Sequence, residues 1–321
     1  MAVYTHIDND ELAALLKRYD IGDLLSFAGI AEGVENSNYL VRTTTARYIL
    51  TLYEKRVNVS DLPFFIGLME HLSSKELQCP VPVRDKSGIV LQTCAGRTAA
   101  LVSFLDGTSF QYPNRDKCAA LGAALADLHV KAADFTVMRE NALGPENWEP
   151  LLTSIKGDIP DLPKDIRQNA TSHLTSILEH WPENLPRGFI HADLFPNNAL
   201  FVKDQLTGII DFYFSCYDIL AYDLAIVLNS WCFDTDGSFN VTKSSSLLAA
   251  YQKHRPLNID EKHALPILCR GAALRFFLTR LFDWINTPKT ALVEPLNPME
   301  YYTKLRFHAT APGSEAYGLW S

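Results

Sequence analysis

The order of apolar and polar positions divides the chain into a strand-rich first third and a helix-rich remainder. Helical spacing predicts a helix over 8–20, with Asp8 as its N-cap, and a second helix over 61–77. Strands are predicted where apolar and polar residues alternate, over 26–42 (strand, turn, strand), 47–53, 89–93 and 99–105. The first third therefore reads as a small sheet of about five strands with one inserted helix.

Helical patterns dominate after Gly107, and two short strands interrupt them between 188 and 211. The predicted helices cover 116–132, 165–180, 221–232, 244–254, 260–285 and 298–306. Proline-rich segments at 145–163 and 286–298 are predicted to be loops. We expect two lobes, 1–105 with a small antiparallel sheet and 106–321 mainly helical, in the α+β class.

Composition narrows the class of protein. The chain has 321 residues, of which 47% are apolar and 21% charged, and its net charge is −8. This charge, without a basic run, argues against nucleic acid and anionic membranes as partners. No apolar run reaches the roughly 18–20 residues of a membrane span, and no leader segment is evident, so we expect a cytoplasmic protein. Six scattered cysteines predict reduced core thiols and no zinc site.

The most informative motif runs from His191 through Asp193 to Asn198 and is followed by an apolar strand that ends in Asp211. This His-x-Asp-x-x-x-x-Asn spacing is the catalytic-loop pattern of kinases. Asp193 is the candidate base that accepts the proton of the attacking hydroxyl, and His191 belongs to the catalytic set by holding the loop. Asn198 and Asp211 are the candidate Mg²⁺ ligands, since hard oxygen donors suit this ion.

A His-x-Asp triplet alone is weak evidence, and the alternative is a surface turn with a capping aspartate between two ordinary strands. The full form, His-Ala-Asp-Leu-Phe-Pro-Asn-Asn, resembles the HGDLHPGN motif of the aminoglycoside phosphotransferase and choline kinase superfamily. The resemblance implies a protein-kinase-like fold of two lobes. It also implies ATP and Mg²⁺ as cofactors.

Two segments resemble the nucleotide-binding elements of that superfamily. Gly29 and Gly33 occupy the place of the phosphate-covering loop, where glycine lets the backbone approach phosphates, and Ser37 offers a hydroxyl donor. Two glycines in a hairpin more often form only a turn. The assignment of this segment to the phosphate-covering loop therefore rests on its position in the chain, directly before a β-hairpin. The segment 99–107 resembles the hinge, where backbone groups of Ser103 and Leu105 would bind the adenine edge.

The third strand departs from the superfamily pattern. Thr51 stands where a lysine or arginine would clamp the α- and β-phosphates, and threonine supplies no positive charge. Lys55 has the same strand parity and is the candidate replacement, with Glu70 on the next helix as its partner. The alternative is that Lys55 and Glu70 are ordinary solvated charges.

The segment 270–283 is unusual because it places three arginines and an acid in an apolar helix. Charges among so many Phe and Leu residues must be paired or bind a ligand. One interpretation is a salt bridge between helices. The other is capture of a zwitterion, with Arg275 or Arg280 for a carboxylate and Asp283 for an ammonium group.

Together these motifs make the chain similar to the kinase-fold homoserine kinases of proteobacteria, which share the Thr51 departure. The resemblance covers nearly the whole chain and implies ATP-dependent phosphorylation of L-homoserine to O-phospho-L-homoserine, a step toward threonine. Two alternatives stay open: another small-alcohol kinase, of the aminoglycoside or choline type, and a nucleotide-binding regulatory protein without catalysis. The sequence leaves the oligomeric state unknown.

Overall fold

A computed structural model describes residues 5–30, 36–54, 58–156, 162–287 and 294–320. The chain forms two compact units. The first comprises Met1–Gly107 with Gly208–Tyr213, and the second comprises Thr108–Thr207 with Phe214–Ser321. The short segment around Asp211 therefore belongs to the first unit, although it follows the catalytic motif in sequence.

The first unit is built on an antiparallel sheet with the strand order β1-β2-β3-β5-β4. Its strands are β1 (Leu24–Ile30), β2 (Ser37–Thr43), β3 (Arg47–Leu52), β4 (Gln92–Cys94) and β5 (Arg97–Ser103). Central β3 pairs with β2 on one side and with β5 on the other, so Thr51 lies opposite Asn38 and Ala100.

Two helices accompany this sheet, α1 (Asn9–Leu16) and α2 (Leu62–Ser74). The Asp8 side chain caps α1 by accepting the Glu11 amide at 2.8 Å. The buried leucines of α1 share one core with alternate residues of β2, β3 and β5. Because alternate strand residues point to one face, this core fixes the register of the central strands.

The second unit is mainly helical. Its helices are α3 (Arg115–Lys131), α4 (Pro145–Ser154), α5 (Ile166–Leu178), α6 (Leu220–Trp231), α7 (Val241–His254), α8 (Ile259–Asn286) and α9 (Pro298–Thr310). Helix α8 packs against α6 and α9, and α3 packs against α7. The α3–α7 approach depends on Gly122, where a Cβ would lie 2.2 Å from the Leu247 carbonyl oxygen.

Four short strands complete the fold and carry the candidate site. They are β6 (Arg187–Ile190), β7 (Ala199–Val202), β8 (Gln205–Ile209) and β9 (Cys216–Ile219). Strand β6 pairs with β9, and β7 pairs with β8. The catalytic loop, which we define as residues 191–198, joins β6 to β7, so both of its ends are held by strands.

The predicted sheet and the predicted order of helices are confirmed, but the loop prediction for 145–163 is wrong over its first part. Helix α4 begins there with Pro145 at its first position, where a missing N–H costs no hydrogen bond. Pro150 lies inside the helix and removes one bond. Buried Trp148 and Leu152, one turn apart, supply the packing that offsets this loss.

The thiols agree with the expectation of core cysteines. All six cysteines are buried thiols, and none of them forms a disulfide. Within the described ranges, no helix combines the length and the apolarity that crossing a bilayer requires.

Candidate active site

The catalytic loop brings Asp193 and Asn198 together. The Asn198 Nδ2 group donates to the Asp193 carbonyl oxygen at 2.8 Å and approaches Asp193 Oδ2 at 3.4 Å. Asn198 is buried, whereas Asp193 is half-buried. Since the amide nitrogen of Asn198 is directed to the loop, its Oδ1 atom is the group that a cation would meet.

His191 lies at the base of this loop and is fully buried. Its Nδ1 atom accepts the Asp193 backbone N–H at 3.3 Å. This contact holds the Asp193 backbone close to the end of β6. It does not involve the Asp193 carboxylate. The geometry is that of a residue that orients the loop.

The peptide before Asp193 is held in a strained conformation. Ala192 has a φ of 63°, in the left-handed region that non-glycine residues rarely adopt. Such a conformation costs about 1–3 kcal/mol and persists only where surrounding contacts impose it. Here the contacts come from Asp223 and Arg275.

Asp223 of α6 binds two successive amides of the loop. The His191 N–H donates to Oδ2 at 2.8 Å, and the Ala192 N–H donates to Oδ1 at 2.9 Å. His129 Nε2 lies 3.1 Å from the same Oδ2, and its Nδ1 lies 2.8 Å from the Tyr251 hydroxyl. Both carboxylate oxygens of a fully buried acid are thus engaged.

The electrostatics of Asp223 follow from these contacts. Burial raises the pKa of this carboxyl, but the hydrogen bond and charge of His129, together with His191, outweigh burial and lower the pKa below its ordinary value. Asp223 therefore remains an anion that holds the loop amides.

Arg275 of α8 holds the other side of the same peptide. Its Nη1 donates to the Ala192 carbonyl oxygen at 2.6 Å, its guanidinium lies 4.1 Å from the Phe276 ring centroid, and its side chain is buried. Its Nε has no hydrogen-bond partner within the described ranges. This hydrogen bond indicates that Arg275 supports the catalytic loop, and its predicted contact with the acceptor carboxylate stays a prediction.

Asp211 follows β8 in the first unit and is a predicted site residue with an unusual backbone. Its φ is 66°, in the left-handed region. Its charge acts on two nearby phenols, Tyr53 and Tyr213, whose hydroxyls lie 3.1 Å apart. Burial is the main cause that raises the pKa of Tyr213 to about 12, so both phenols stay neutral at pH 7.

Neutral groups surround Thr51, which stands on β3 where the superfamily has a lysine or arginine. Thr51 is buried and donates to Asn38 Oδ1 at 2.8 Å. Lys55, the predicted replacement, lies outside the described residues. Its predicted partner Glu70 forms a two-bond pair with Arg84, at 2.7 and 2.8 Å. Arg84 therefore engages Glu70, and the Lys55–Glu70 pairing stays a prediction.

The predicted phosphate-covering segment is only partly described. Gly29 lies within β1 opposite Tyr39, so it belongs to a strand and not to a turn. Gly33 lies outside the described residues. The buried Ser37 hydroxyl donates to Glu54 at 2.8 Å and accepts the Thr5 amide at 3.0 Å. Within this network, Ser37 anchors the start of β2.

The hinge prediction needs a partial correction. The Ser103 N–H donates to the Val81 carbonyl oxygen at 2.9 Å, and the Ser103 hydroxyl accepts the Val81 amide at 2.9 Å. The Ser103 amide is therefore used inside the unit and is not available to adenine. Leu105 packs its side chain on Gly208, where a Cβ would lie 2.5 Å from Leu105 Cδ1. Its backbone assignment stays a prediction.

Arg280 lies on α8 beside the first turns of α9 and is paired there. Its Nη1 donates to Glu300 Oε2 at 2.6 Å, and Lys304 Nζ donates to Glu300 Oε1 at 2.6 Å. Both cations lie over the Tyr301 ring, at 4.4 and 4.3 Å from its centroid. We name Arg280, Glu300, Tyr301 and Lys304 the α8–α9 cluster. The acid bonded to Arg280 is thus Glu300 of α9, which is the salt bridge between helices that the sequence left open as one interpretation.

Sequence reasoning missed Arg84, Glu300 and Tyr213. Arg84 and Glu300 are ordinary charges in sequence, and their partners lie 14 and 20 residues away on another element. Tyr213 follows Asp211 by two residues but lies in the short 3-10 helix Phe212–Phe214, so strand alternation does not predict its position.

Comparisons with known proteins point to one family. The model of the phosphotransferase enzyme family matches residues 26–257. A homoserine kinase of Xanthobacter autotrophicus is 56% identical over 99% of both chains. A homoserine kinase of Rhizobium meliloti is 52% identical over 99% of this chain and 98% of its own.

Solved structures show the same fold at low identity. An amicoumacin kinase aligns with a TM-score of 0.71 at 16% identity, covering 94% of this chain and 92% of its own. A choline kinase of Cryptosporidium parvum aligns with a TM-score of 0.68 at 14% identity, covering 94% of both chains. The predicted two-lobed kinase-like fold class is confirmed. The chain belongs to the phosphotransferase enzyme family and, within it, to the homoserine kinase family.

Proposed function

We propose that this protein transfers the γ-phosphoryl group of ATP to the hydroxyl of L-homoserine, giving O-phospho-L-homoserine and ADP. The observation that carries the proposal is the 56% identity to a homoserine kinase over 99% of both chains. The catalytic loop supports the reaction class, because an aspartate and an asparagine meet there as phosphoryl transfer requires. Buried thiols without disulfides suit the reducing cytoplasm, where we place the reaction.

The alternative acceptors rest on weaker observations. The amicoumacin kinase and the choline kinase share 16% and 14% identity with this chain, which supports the fold and not the acceptor. An inactive regulatory protein would have no need to retain Asp193, Asn198 and Asp211 together. Homoserine therefore remains the acceptor with the strongest support.

In the proposed reaction, the homoserine hydroxyl oxygen forms a bond to the γ-phosphorus while the bond from that phosphorus to the β–γ bridging oxygen breaks. The hydroxyl proton passes to the Asp193 carboxylate, and ADP leaves with the bridging oxygen. Positioning of the base contributes about 10²–10⁴-fold to such a step. Asp223 and Arg275 contribute by fixing the Ala192 peptide, which sets where the Asp193 carboxylate lies.

Asn198 and Asp211 are the proposed Mg²⁺ ligands. Their donor set fits the ion, since a side-chain amide oxygen and a carboxylate are the hard oxygen ligands that Mg²⁺ takes. Asn198 Nδ2 is engaged with the Asp193 main chain, which directs Oδ1 away from it. When bound, Mg²⁺ neutralises charge on the transferring phosphates.

The nucleotide side of the proposal keeps three predictions. Lys55 would supply the charge that Thr51 lacks, Gly33 would let the backbone approach the phosphates, and Leu105 would bind the adenine edge. Each is testable by its effect on the Michaelis constant for ATP.

The test is a coupled ADP-release assay with L-homoserine, L-serine, choline and kanamycin as acceptors. We expect kcat/KM to be highest for L-homoserine. Asp193→Asn should lower kcat about 10³-fold with little effect on the KM for ATP, because the proton acceptor is lost and the nucleotide contacts remain. Asp127→Asn, which changes a surface partner of Lys131, is the matched control. Preference for another acceptor would refute the homoserine assignment, and normal turnover in Asp193→Asn would refute the base.

A further inference from the structure

The α8–α9 cluster holds more positive than negative charge. Arg280 and Lys304 bond to the two oxygens of one carboxylate, Glu300, each at 2.6 Å. The two cations are largely buried, with side chains 11% and 7% exposed, whereas Glu300 is 53% exposed. Two buried cations that share one half-exposed acid leave a net charge of about +1, which a protein interior does not favour without a counter-ion.

Both cations keep hydrogen-bond donors in reserve. The hydrogen bonds of Arg280 within the described part of the chain both use Nη1, to Glu300 at 2.6 Å and to the Asn297 carbonyl at 3.4 Å. Its Nε–Nη2 edge, the fork that binds a carboxylate through two parallel bonds, is left for another acceptor. Lys304 uses one of three ammonium protons, on Glu300.

Tyr301, whose ring lies beside both cations, carries a third donor. Tyr301 is fully buried, and its hydroxyl has no hydrogen-bond partner within the described ranges. A buried phenol normally finds a partner, because leaving it without one costs about 1–3 kcal/mol. Its ring already faces both cations, so the cluster offers two positive groups and one neutral O–H together.

The cluster adjoins the catalytic loop within the same unit. The Phe195 ring, two residues after Asp193, packs 4.9 Å from Phe276 and 6.4 Å from Tyr301. Phe276 in turn lies 5.1 Å from Tyr301. These apolar rings form one wall that runs from the candidate base to the cluster.

Electrostatic coupling agrees with this proximity. Burial is the main cause that raises the pKa of the Tyr301 phenol; Arg280 opposes it, and the charges of Glu300 and Asp193 add to it. Burial also lowers the pKa of the Lys304 ammonium despite Glu300, so one acid does not fully compensate the cluster.

We propose that Arg280, Lys304 and Tyr301 bind the α-carboxylate of the acceptor, and that Glu300 orients the two cations. The inference deepens and rests on the proposed function, because it supplies a site that selects an amino-acid alcohol over a plain amino alcohol. Arg280 gives the two-bond contact, Lys304 adds charge, and Tyr301 adds a hydroxyl. The hydroxyl end of the acceptor then extends along the Phe195–Phe276 wall toward Asp193.

The test is steady-state kinetics with both substrates varied. Lys304→Met, which keeps the stem and removes the charge, should raise the KM for homoserine at least ten-fold and change the KM for ATP less than two-fold. Lys304→Arg should recover part of the loss, because it restores the charge. Lys117→Met is the matched control, since Lys117 is 8% exposed, pairs with Asp204 at 2.6 Å and lies 4.3 Å from the Phe110 ring.

Tyr301→Phe removes one oxygen from the core and gives an independent readout if Lys304→Met fails to fold by circular dichroism. We expect a three- to ten-fold rise in the KM for homoserine alone. Tyr19→Phe is its control, because Tyr19 also carries a buried hydroxyl without a partner within the described ranges. An unchanged homoserine KM in Tyr301→Phe and in any folded Lys304→Met overturns the inference. Absence of homoserine turnover in the unchanged protein overturns the proposed function instead.

Discussion

The second unit contains two sets of buried charges on α8 and its neighbours, and they differ in what they bind. Around the catalytic loop, Asp223 and Arg275 make their contacts to main-chain groups of His191 and Ala192. In the α8–α9 cluster, Arg280 and Lys304 both bond to one side chain, Glu300. The first arrangement fixes a backbone, whereas the second holds charge at a surface that a ligand can complete.

The difference teaches how to assign roles to two arginines that look alike in sequence. Arg275 and Arg280 lie five residues apart on one helix among Phe and Leu. A guanidinium that holds a strained peptide positions the catalytic loop, so removing the guanidinium should lower kcat. A guanidinium whose Nε–Nη2 edge is left for a ligand contributes to substrate binding, so removing it should raise the KM for homoserine.

Within the comparison of these two sets of charges, the largest effect is expected at Asp223. In Asp223→Asn one acceptor oxygen becomes a donor that faces loop amides, so at least one of the bonds to His191, Ala192 and His129 is lost. Breaking a buried charged network costs about 3 kcal/mol of stability. We expect kcat to fall about 10²-fold while the KM for homoserine changes little. Thermal unfolding and steady-state kinetics measure both quantities, and a selective KM effect would contradict the assignment of Asp223 to loop support.

Arg275→Met should give the next effect and define one side of the comparison. The variant removes the donor to the Ala192 carbonyl and keeps an apolar stem against Phe276. A hydrogen bond from a charged group contributes about 1.5–3 kcal/mol, which corresponds to a ten- to hundred-fold loss in kcat. The KM for homoserine should stay within two-fold. A rise in this KM with normal kcat would return Arg275 to the acceptor site.

Arg280→Met defines the other side. We expect the KM for homoserine to rise about ten- to thirty-fold, because a two-bond carboxylate contact is lost, while kcat changes less than three-fold. Glu300 keeps Lys304 as a partner, which limits the structural effect. The measurement is the same pair of substrate titrations. Equal behaviour of Arg275→Met and Arg280→Met would remove the distinction between the two regions.

Much of the fold follows from the sequence because the core is built from periodic patterns. The strands around Thr51 and the long α8 each repeat apolar positions over enough residues to be recognised. Helix α4 is not predicted from periodicity, because its two prolines are typical of a loop. There the burial of Trp148 and Leu152 outweighs local preference, and no local pattern reports that burial.

The candidate site is predicted in part for a related reason. Asp193, Asn198 and Asp211 are found from spacing, because a motif is local. The partners of Arg275 and Arg280 are not local: Ala192 lies 83 residues before Arg275, and Glu300 lies on the next helix. Pairing between elements depends on how they pack, which one sequence does not encode in spacing.

The smallest effect on catalysis is expected at a third buried network, and it tests whether main-chain and core contacts report on stability alone. His308 is buried, with Nδ1 2.9 Å from the Tyr317 hydroxyl and Nε2 3.0 Å from Asn229 Oδ1. Burial, with Lys304 adding to it, lowers the pKa of His308 to about 3. In the unfolded chain the pKa is about 6.5, so between these values the unfolded state binds the extra proton. The stabilisation that comes from neutral His308 should therefore be complete above pH 6.5. Below that pH, the free energy of unfolding should fall toward pH 3, by up to about 1.4 kcal/mol per pH unit.

The variant His308→Gln cannot gain this proton. The difference in unfolding free energy between the unchanged protein and this variant should therefore shrink as pH falls from 6.5 to 4.5. At pH 7.5, kcat and both KM values of the variant should lie within two-fold of those of the unchanged protein. Urea unfolding at pH 7.5, 6.5, 5.5 and 4.5 measures the difference, and a gap that stays constant with pH would show that His308 is not held neutral in the fold.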